Sequence, residues 1–157
     1  MLPENIHITL KFLGNTDETL IESIREVLHK KISPYPPFYI KIAGVGYFPG
    51  GRHPRVIWVG LEDTGILQDI HKDIDKEMTR FGYQPETRPF SPHITIGRVR
   101  SARKMTEGLK KLEELRAVSF DDVYVKGLSL MKSELKPSGA QYFSLAEIPF
   151  EGGNDVD

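Results

Sequence analysis

The chain carries the same His-x-Thr-x pattern twice, as His7-Ile8-Thr9-Leu10 and, 86 residues further along (93 − 7), as His93-Ile94-Thr95-Ile96. An imidazole with an ordinary pKa near 6.5 can give or take a proton at neutral pH. Two imidazoles in opposite protonation states suit a displacement that needs a general base on one side and a general acid on the other. Threonine hydroxyls donate hydrogen bonds where charge builds up on phosphoryl oxygens. The pattern therefore predicts acid–base chemistry at a phosphorus centre.

Both copies lie in segments with the alternation of a half-buried strand, residues 6–12 and 93–99. Side chains at i and i+2 point to one face of a strand, so each His projects with its Thr while the intervening Ile points to the core. Two such strands facing each other present two imidazoles and two hydroxyls to one groove. The spacing of about half the chain suggests two related lobes. The competing interpretation is a structural protein, because a lone His on a strand is usually a solvated residue.

The rest of the chain alternates helical and strand periods without a linker, which predicts one α+β domain. We expect this domain at residues 1–151 and a disordered tail at 152–157, which has nothing to bury. We expect His29 and His71, on predicted helices, at the surface. The predicted helices cover 16–32, 63–81 and 104–115; the other predicted strands cover 38–43, 56–61, about 118–133 and 141–149, with a glycine- and proline-rich loop at 44–54 and a turn at 137–139.

Composition excludes several function classes. There are 21 Lys+Arg against 22 Asp+Glu, a net charge of −1, which argues against tight charge-driven binding of long nucleic acid, so any such substrate must be held locally. No apolar run approaches the ~18 residues of a membrane span. The absence of cysteine excludes disulfides and thiolate sites and is consistent with a reducing cytoplasm. No Walker, Rossmann or zinc pattern occurs, so we expect no cofactor and no metal.

Long runs around the two motifs resemble a known family. They are PENIHITLKFLG at 3–14, GYFP at 46–49, PRVIWVG at 54–60, RPFSPHITIGR at 88–98, and the segment from Ser133 through Gly139 to Tyr142. These runs resemble the 2H phosphoesterases, and among them the bacterial and archaeal RNA 2′,3′-cyclic phosphodiesterases, also called 2′–5′ RNA ligases. Members of that branch usually carry a further strand and helix before the first motif, so the resemblance implies that this N-terminal element is missing here.

The resemblance implies a bilobal, pseudo-two-fold fold of two antiparallel sheets with outer helices and a central groove. It also implies metal-independent opening of a terminal 2′,3′-cyclic phosphate to a 2′-phosphate. In that family the first histidine is the proton donor and the second the proton acceptor. Carried over, His7 protonates the departing 3′ oxygen and His93 activates water, while Thr9 and Thr95 bind phosphate oxygens. The implied partners are RNA with 2′,3′-cyclic phosphate ends or small cyclic nucleotides, in the cytoplasm and with the oligomeric state open.

Four further residues are candidate RNA contacts. Lys11 shares the predicted face of His7, and Phe48 and Tyr142 are candidates for stacking on a terminal base. Arg98 follows the second motif, but strict alternation puts it on the face opposite His93, so a phosphate contact needs a bulge or a strand end.

Two alternatives stay open. One is an RNA ligase that joins 2′,5′ ends, which is the reverse chemistry at the same two histidines. The other is a module that binds RNA ends without turning them over; for that module we expect one histidine of the pair to be replaced, and neither is.

Overall fold

The computed structural model describes residues 5–50, 53–62, 65–99 and 105–153. The chain divides into two compact units. Unit 1 consists of Met1–Leu10, Ile40–Thr64 and Ser91–Val123, and unit 2 consists of Lys11–Tyr39, Gly65–Phe90 and Tyr124–Asp157. Among the described residues, none of the helices is both long enough and apolar enough to span a membrane.

Unit 1 is built on a four-stranded sheet together with helix α3 (Met105–Glu114). The strands are β1 (Phe38–Gly50), β2 (His53–Glu62), β3 (His93–Arg98) and β4 (Ser119–Val125), in the order β3-β2-β1-β4. Strands β1 and β2, and strands β2 and β3, pair antiparallel.

The predicted loop at 44–54 is wrong over most of its length, because β1 continues to Gly50 and β2 begins at His53. Residues 51 and 52 lie outside the described residues. Gly46 in this stretch serves packing rather than a loop. A Cβ on Gly46 would lie 2.3 Å from Cζ2 of Trp58, its partner on β2, so the indole ring covers the glycine and only the missing side chain makes room for it.

The predicted strand at 6–12 is also wrong in extent. Within the described residues the segment makes one antiparallel bridge, Ile8 to Ile94, and the chain bends at Leu10. Beyond the bend, Lys11 hydrogen-bonds Asp75 of helix α2 (Ile66–Met78) instead of continuing along the sheet. Alternating residue types show that a segment is half-buried, but not how far its pairing extends.

Unit 2 packs helices α1 (Ile21–Ile32) and α2 with a hairpin of β5 (Gly127–Lys136) and β6 (Gly139–Pro149). The helix predictions for 16–32 and 63–81 are confirmed, with a 3₁₀ turn before α1 and another after α2. Asp17 caps the first turn by accepting from the Thr19 amide at 2.9 Å. The buried apolar residues of this unit come from both helices, from the start of β1 and from the C-terminal end of β6 and the residue after it: Ile24, Leu28, Ile32, Phe38, Leu67, Ile70, Ile74, Met78, Ile148 and Phe150.

The C-terminal part contains one strand more than predicted. The expected strand at 118–133 is two strands, β4 and β5, separated at Lys126, whose carbonyl accepts from the Phe150 amide at 2.8 Å. These two strands belong to different sheets, and an alternating pattern carries no information about a change of sheet. The turn at 137–139 is confirmed. Gly152 donates backbone hydrogen bonds to Ser33 and Tyr35; residues 154–157 of the predicted tail lie outside the described residues.

Candidate active site

The two His-x-Thr motifs lie side by side. The half-chain spacing suggested two related lobes, but both motifs fall in unit 1, and Ile8 forms an antiparallel bridge with Ile94. In antiparallel register the neighbours of a bridged pair are opposite one another. His7 is therefore opposite Thr95, and Thr9 is opposite His93. Because opposite residues share a face, all four polar side chains project from the face that the two isoleucines turn away from.

Both imidazoles are held in the same way. Nδ1 of His7 lies 2.5 Å from the carbonyl oxygen of Asn5, and Nδ1 of His93 lies 2.8 Å from the carbonyl oxygen of Ser91. A carbonyl oxygen only accepts, so each Nδ1 carries the hydrogen and donates it. In each case the carbonyl belongs to the residue two positions upstream. Nε2 is thus the nitrogen that accepts a proton when the ring is neutral and donates one when the ring is charged.

Aromatic rings line the same face of the sheet beside the histidine of β3. Trp58 is the β2 partner of Thr95, and Phe48 is the β1 partner of Val56, two residues before Trp58. The Phe48 ring meets His93 edge-on with centroids 5.0 Å apart and lies 5.7 Å from the Trp58 ring. The contact fixes one side of the His93 imidazole. Trp58 is a site residue that the sequence analysis did not single out. The sequence places it on the predicted strand at 56–61, but only the structure shows that this strand pairs with the second motif.

The second motif is followed by a β-bulge. Ile57 pairs with Gly97, whereas the next residue of β2, Trp58, pairs with Thr95. Ile96 is therefore the extra residue on β3, and 39% of it is exposed. A bulge shifts the alternation by one position.

This shift changes the face on which Arg98 lies. Arg98 is the partner of Val56, and Val56 shares a face with Trp58 and hence with Thr95. Arg98 is exposed, at the end of β3. Strict alternation predicted that Arg98 lies on the other face of the strand from His93, and this prediction is wrong. The bulge that a phosphate contact by Arg98 requires is present.

The two remaining candidates belong to unit 2. Tyr142 is half-buried on β6, where it is the partner of Ser133. Lys11 has a side chain only 4% exposed, and its Nζ lies 2.6 Å from Oδ1 of Asp75. RNA contacts by Tyr142, Phe48 and Lys11 stay predictions, although Lys11 already has a protein partner. The expectation of a surface His71 is wrong: this residue is 8% exposed and stacks on Phe90, with centroids 4.3 Å apart.

In the part of the chain that the structure describes, no three His, Asp or Glu side chains are grouped as a metal site. Metal independence stays a prediction, to be tested in solution. The arrangement can deliver and remove a proton at two Nε2 atoms on one face and offer two hydroxyl donors beside them.

Comparison with known sequences shows that this chain has relatives. A family model described as the 2′-5′ RNA ligase superfamily matches residues 4–137. A protein of Methanothermobacter thermautotrophicus named RNA 2′,3′-cyclic phosphodiesterase is 38% identical over 140 residues, covering 89% of this chain and 76% of the relative. A protein of the same name from Thermotoga maritima is 37% identical over 150 residues, covering 96% of this chain and 78% of the relative.

Solved structures confirm the fold. The protein TT0787 of Thermus thermophilus superposes with a TM-score of 0.81 at 28% identity, covering 97% of this chain and 81% of the other. E. coli LigT complexed with 3′-AMP gives a TM-score of 0.73 at 21% identity, covering 94% and 78%; at this identity the likeness shows the fold alone. The predicted α+β class with two antiparallel sheets is confirmed.

Proposed function

Because the chain belongs to the 2′-5′ RNA ligase superfamily, as its motifs predicted, we propose that it hydrolyses 2′,3′-cyclic phosphates at RNA ends to 2′-phosphates. The relatives named RNA 2′,3′-cyclic phosphodiesterase, at 33–38% identity over most of the chain, support this activity.

One observation carries the proposal: two imidazoles with the same Nδ1 anchor, each opposite a threonine of the other motif. In-line displacement at phosphorus needs a base beside the entering oxygen and an acid beside the leaving oxygen. Two histidines related by a local two-fold through the Ile8–Ile94 bridge meet this need from the two sides of one phosphorus atom. The hydroxyls of Thr9 and Thr95 complete the site as donors to the non-bridging oxygens.

In the proposed reaction the Nε2 atom of His93 takes a proton from water as the water oxygen bonds to phosphorus. The bond from phosphorus to the 3′ oxygen breaks, and the Nε2–H group of charged His7 gives its proton to that oxygen. The products are a 2′-phosphate and a free 3′ hydroxyl. His7 ends neutral and His93 ends charged, so one proton exchange with solvent restores the starting state.

Arg98 and Phe48 extend the site toward the substrate. The exposed guanidinium of Arg98, on the same face as Thr95, is suited to a phosphate because it donates in a planar fork. Phe48 presents a ring beside His93 for stacking on the terminal base. Stacking of a base on Tyr142 stays a prediction from the sequence.

The proposed partners are RNA carrying 2′,3′-cyclic phosphate ends and small cyclic nucleotides, with no part for a membrane. We place the activity in the cytoplasm, since a chain without cysteine gains nothing from an oxidising compartment.

The test is incubation with a short RNA and with a nucleoside, each ending in a 2′,3′-cyclic phosphate, in buffer containing EDTA. ³¹P NMR or chromatography against standards identifies the isomer. The proposal expects the 2′-phosphate as the product. Absence of turnover, release of the 3′-phosphate, or activity only after metal is added back would contradict it.

A further inference from the structure

Lys11 is the buried centre of a polar cluster whose other members are partly exposed. Its Nζ donates to Oδ1 of Asp75 at 2.6 Å and to the carbonyl of Gln84 at 3.2 Å, and it lies 3.6 Å from Oε1 of Glu86. An ammonium group has three hydrogens, and three acceptors surround it here. With 4% of the side chain exposed, this lysine has little capacity left for a ligand.

The same cluster holds the segment that precedes the second motif. The carboxylate of Asp75 accepts from the backbone amide of Glu86 through both oxygens, at 3.1 and 3.2 Å. Further along the segment, Nε2 of Gln68 donates to the Phe90 carbonyl at 2.9 Å, and His71 stacks on the Phe90 ring. Gln68, His71 and Asp75 are three and four positions apart and so share one face of α2. Through them, this face contacts the segment 84–90 at Glu86 and at Phe90.

Chain connectivity links these contacts to both motifs. Lys11 follows Thr9 by two residues, and Phe90 precedes His93 by three. The backbone that leaves the first motif and the backbone that enters the second are thus tied to the same short helix. Within the described residues the first motif is paired with the sheet by the bridge of Ile8 to Ile94, and the contacts of Lys11 hold the backbone that leaves the motif.

We propose that Lys11 is a positioning residue, which through Asp75 and the segment 84–90 sets the placement of the two catalytic histidines, rather than an RNA contact. This inference rests on the proposed function. An ion pair withdrawn from water often contributes little net stability compared with an apolar pair of the same shape, and in some proteins its role is to fix one conformation. A displacement of about 1 Å at reacting groups costs on the order of 100-fold in rate. Loss of the contacts of Lys11 should therefore have a large effect on turnover.

The test uses Lys11→Met and Asp75→Asn, with Tyr35→Phe as the matched control. Tyr35 donates to Asp73 of the same helix at 2.6 Å, so its loss also removes a partly buried bond to α2 without touching the segment 84–90. Rates are measured at least ~20 °C below each melting temperature. We expect kcat to fall roughly 10- to 100-fold in Lys11→Met with KM changed less than about threefold. Tyr35→Phe should leave both constants within about twofold.

A second readout does not need turnover. In histidine-selective NMR spectra of the uncomplexed protein, the ring signals of His7 and His93 should move in Lys11→Met and stay in place in Tyr35→Phe. Should Lys11→Met not fold, Glu86→Gln removes one partner of the same cluster at a residue 44% exposed and should give smaller changes of the same kind.

Two results would overturn the positioning role. One is unchanged kcat with unmoved His7 and His93 signals in folded Lys11→Met. The other is a raised KM at unchanged kcat, which would identify Lys11 as an RNA contact. A wild-type protein that does not hydrolyse the cyclic phosphate would contradict the proposed function, and the NMR comparison would then decide the positioning role on its own.

Discussion

Ile8 and Ile94 form the antiparallel bridge that places His7 opposite Thr95 and Thr9 opposite His93. The two isoleucines are the middle residues of the two motifs, so the bridge lies on the local two-fold that relates them. Each histidine in turn binds the carbonyl two residues before it through Nδ1. The repeated sequence motif thus gives a repeated geometry, in which two histidines with equivalent Nδ1 anchors share one face.

The rate of cyclic phosphate hydrolysis should be bell-shaped in pH. One imidazole must be neutral and the other charged, so turnover falls on both sides of a maximum near neutrality. The profile of kcat/KM, measured in EDTA from about pH 5 to pH 9, checks this. A rate that rises monotonically across this range, or that depends on added divalent metal, would argue for a different mechanism.

Loss of Arg98 should weaken substrate binding. Arg98→Met removes a guanidinium from the face of Thr95, so we expect KM for a cyclic phosphate to rise roughly 10- to 150-fold, as for a lost charge-assisted hydrogen bond of about 1.5–3 kcal/mol. The salt dependence of KM should become shallower as well. Arg80→Met is the control, since it removes an arginine that pairs with Glu77. Equal effects of the two variants would mean that Arg98 acts only through net charge.

Gly46→Ala should cost stability and activity together. The added Cβ would lie 2.3 Å from the Trp58 ring, which must move, and Trp58 contacts Phe48 beside His93. Overpacking of this kind costs about 1–3 kcal/mol, which for a chain of this size lowers Tm by roughly 2–12 °C. Gly97→Ala is the matched control, because a Cβ there meets nothing within 4 Å. The prediction is checked by thermal melts of the two variants. Equal Tm values for Gly46→Ala and Gly97→Ala would mean that the Trp58 ring moves aside at no cost, and would contradict the prediction.

The stabilising effect of Asp75 should depend on pH. Burial raises the pKa of its carboxyl, but hydrogen bonds from Lys11 and from the Glu86 amide outweigh burial, and the pKa is lowered overall. A lowered folded-state pKa stabilises the fold at pH above the unfolded value of about 3.9, and this contribution disappears as the pH falls through the folded value. The Tm difference between wild type and Asp75→Asn should be largest near pH 7 and should shrink below about pH 4. A difference that stays constant over this range would mean that the charge of Asp75 does not stabilise the fold.

The sequence predicted the helices better than the strands and their pairing. The helices follow from local periodicity, and the repeated His-x-Thr pattern is read from residue types; the printed chain contains both. Three features depend on contacts distant in sequence: the extension of β1 past Gly46, where the Trp58 ring packs on the glycine; the bulge at Ile96, which brings Arg98 to the face of Thr95; and the burial of Lys11 against Asp75. Each of these three features is determined by a partner residue on another element. The alternation of residue types along a single sequence contains no information about such partners.

The double-mutant cycle of the two histidines tests the central claim most directly. His7→Ala, His93→Ala and the double variant are compared by kcat/KM on one RNA ending in a 2′,3′-cyclic phosphate, with folding of each verified by circular dichroism. Groups that act as a unit give strongly non-additive losses. Each single variant should therefore lose most of the turnover, on the order of 1,000-fold, and the double variant should be little worse than either. Near-normal turnover in either single variant, or losses that multiply in the double variant, would contradict the two-histidine mechanism.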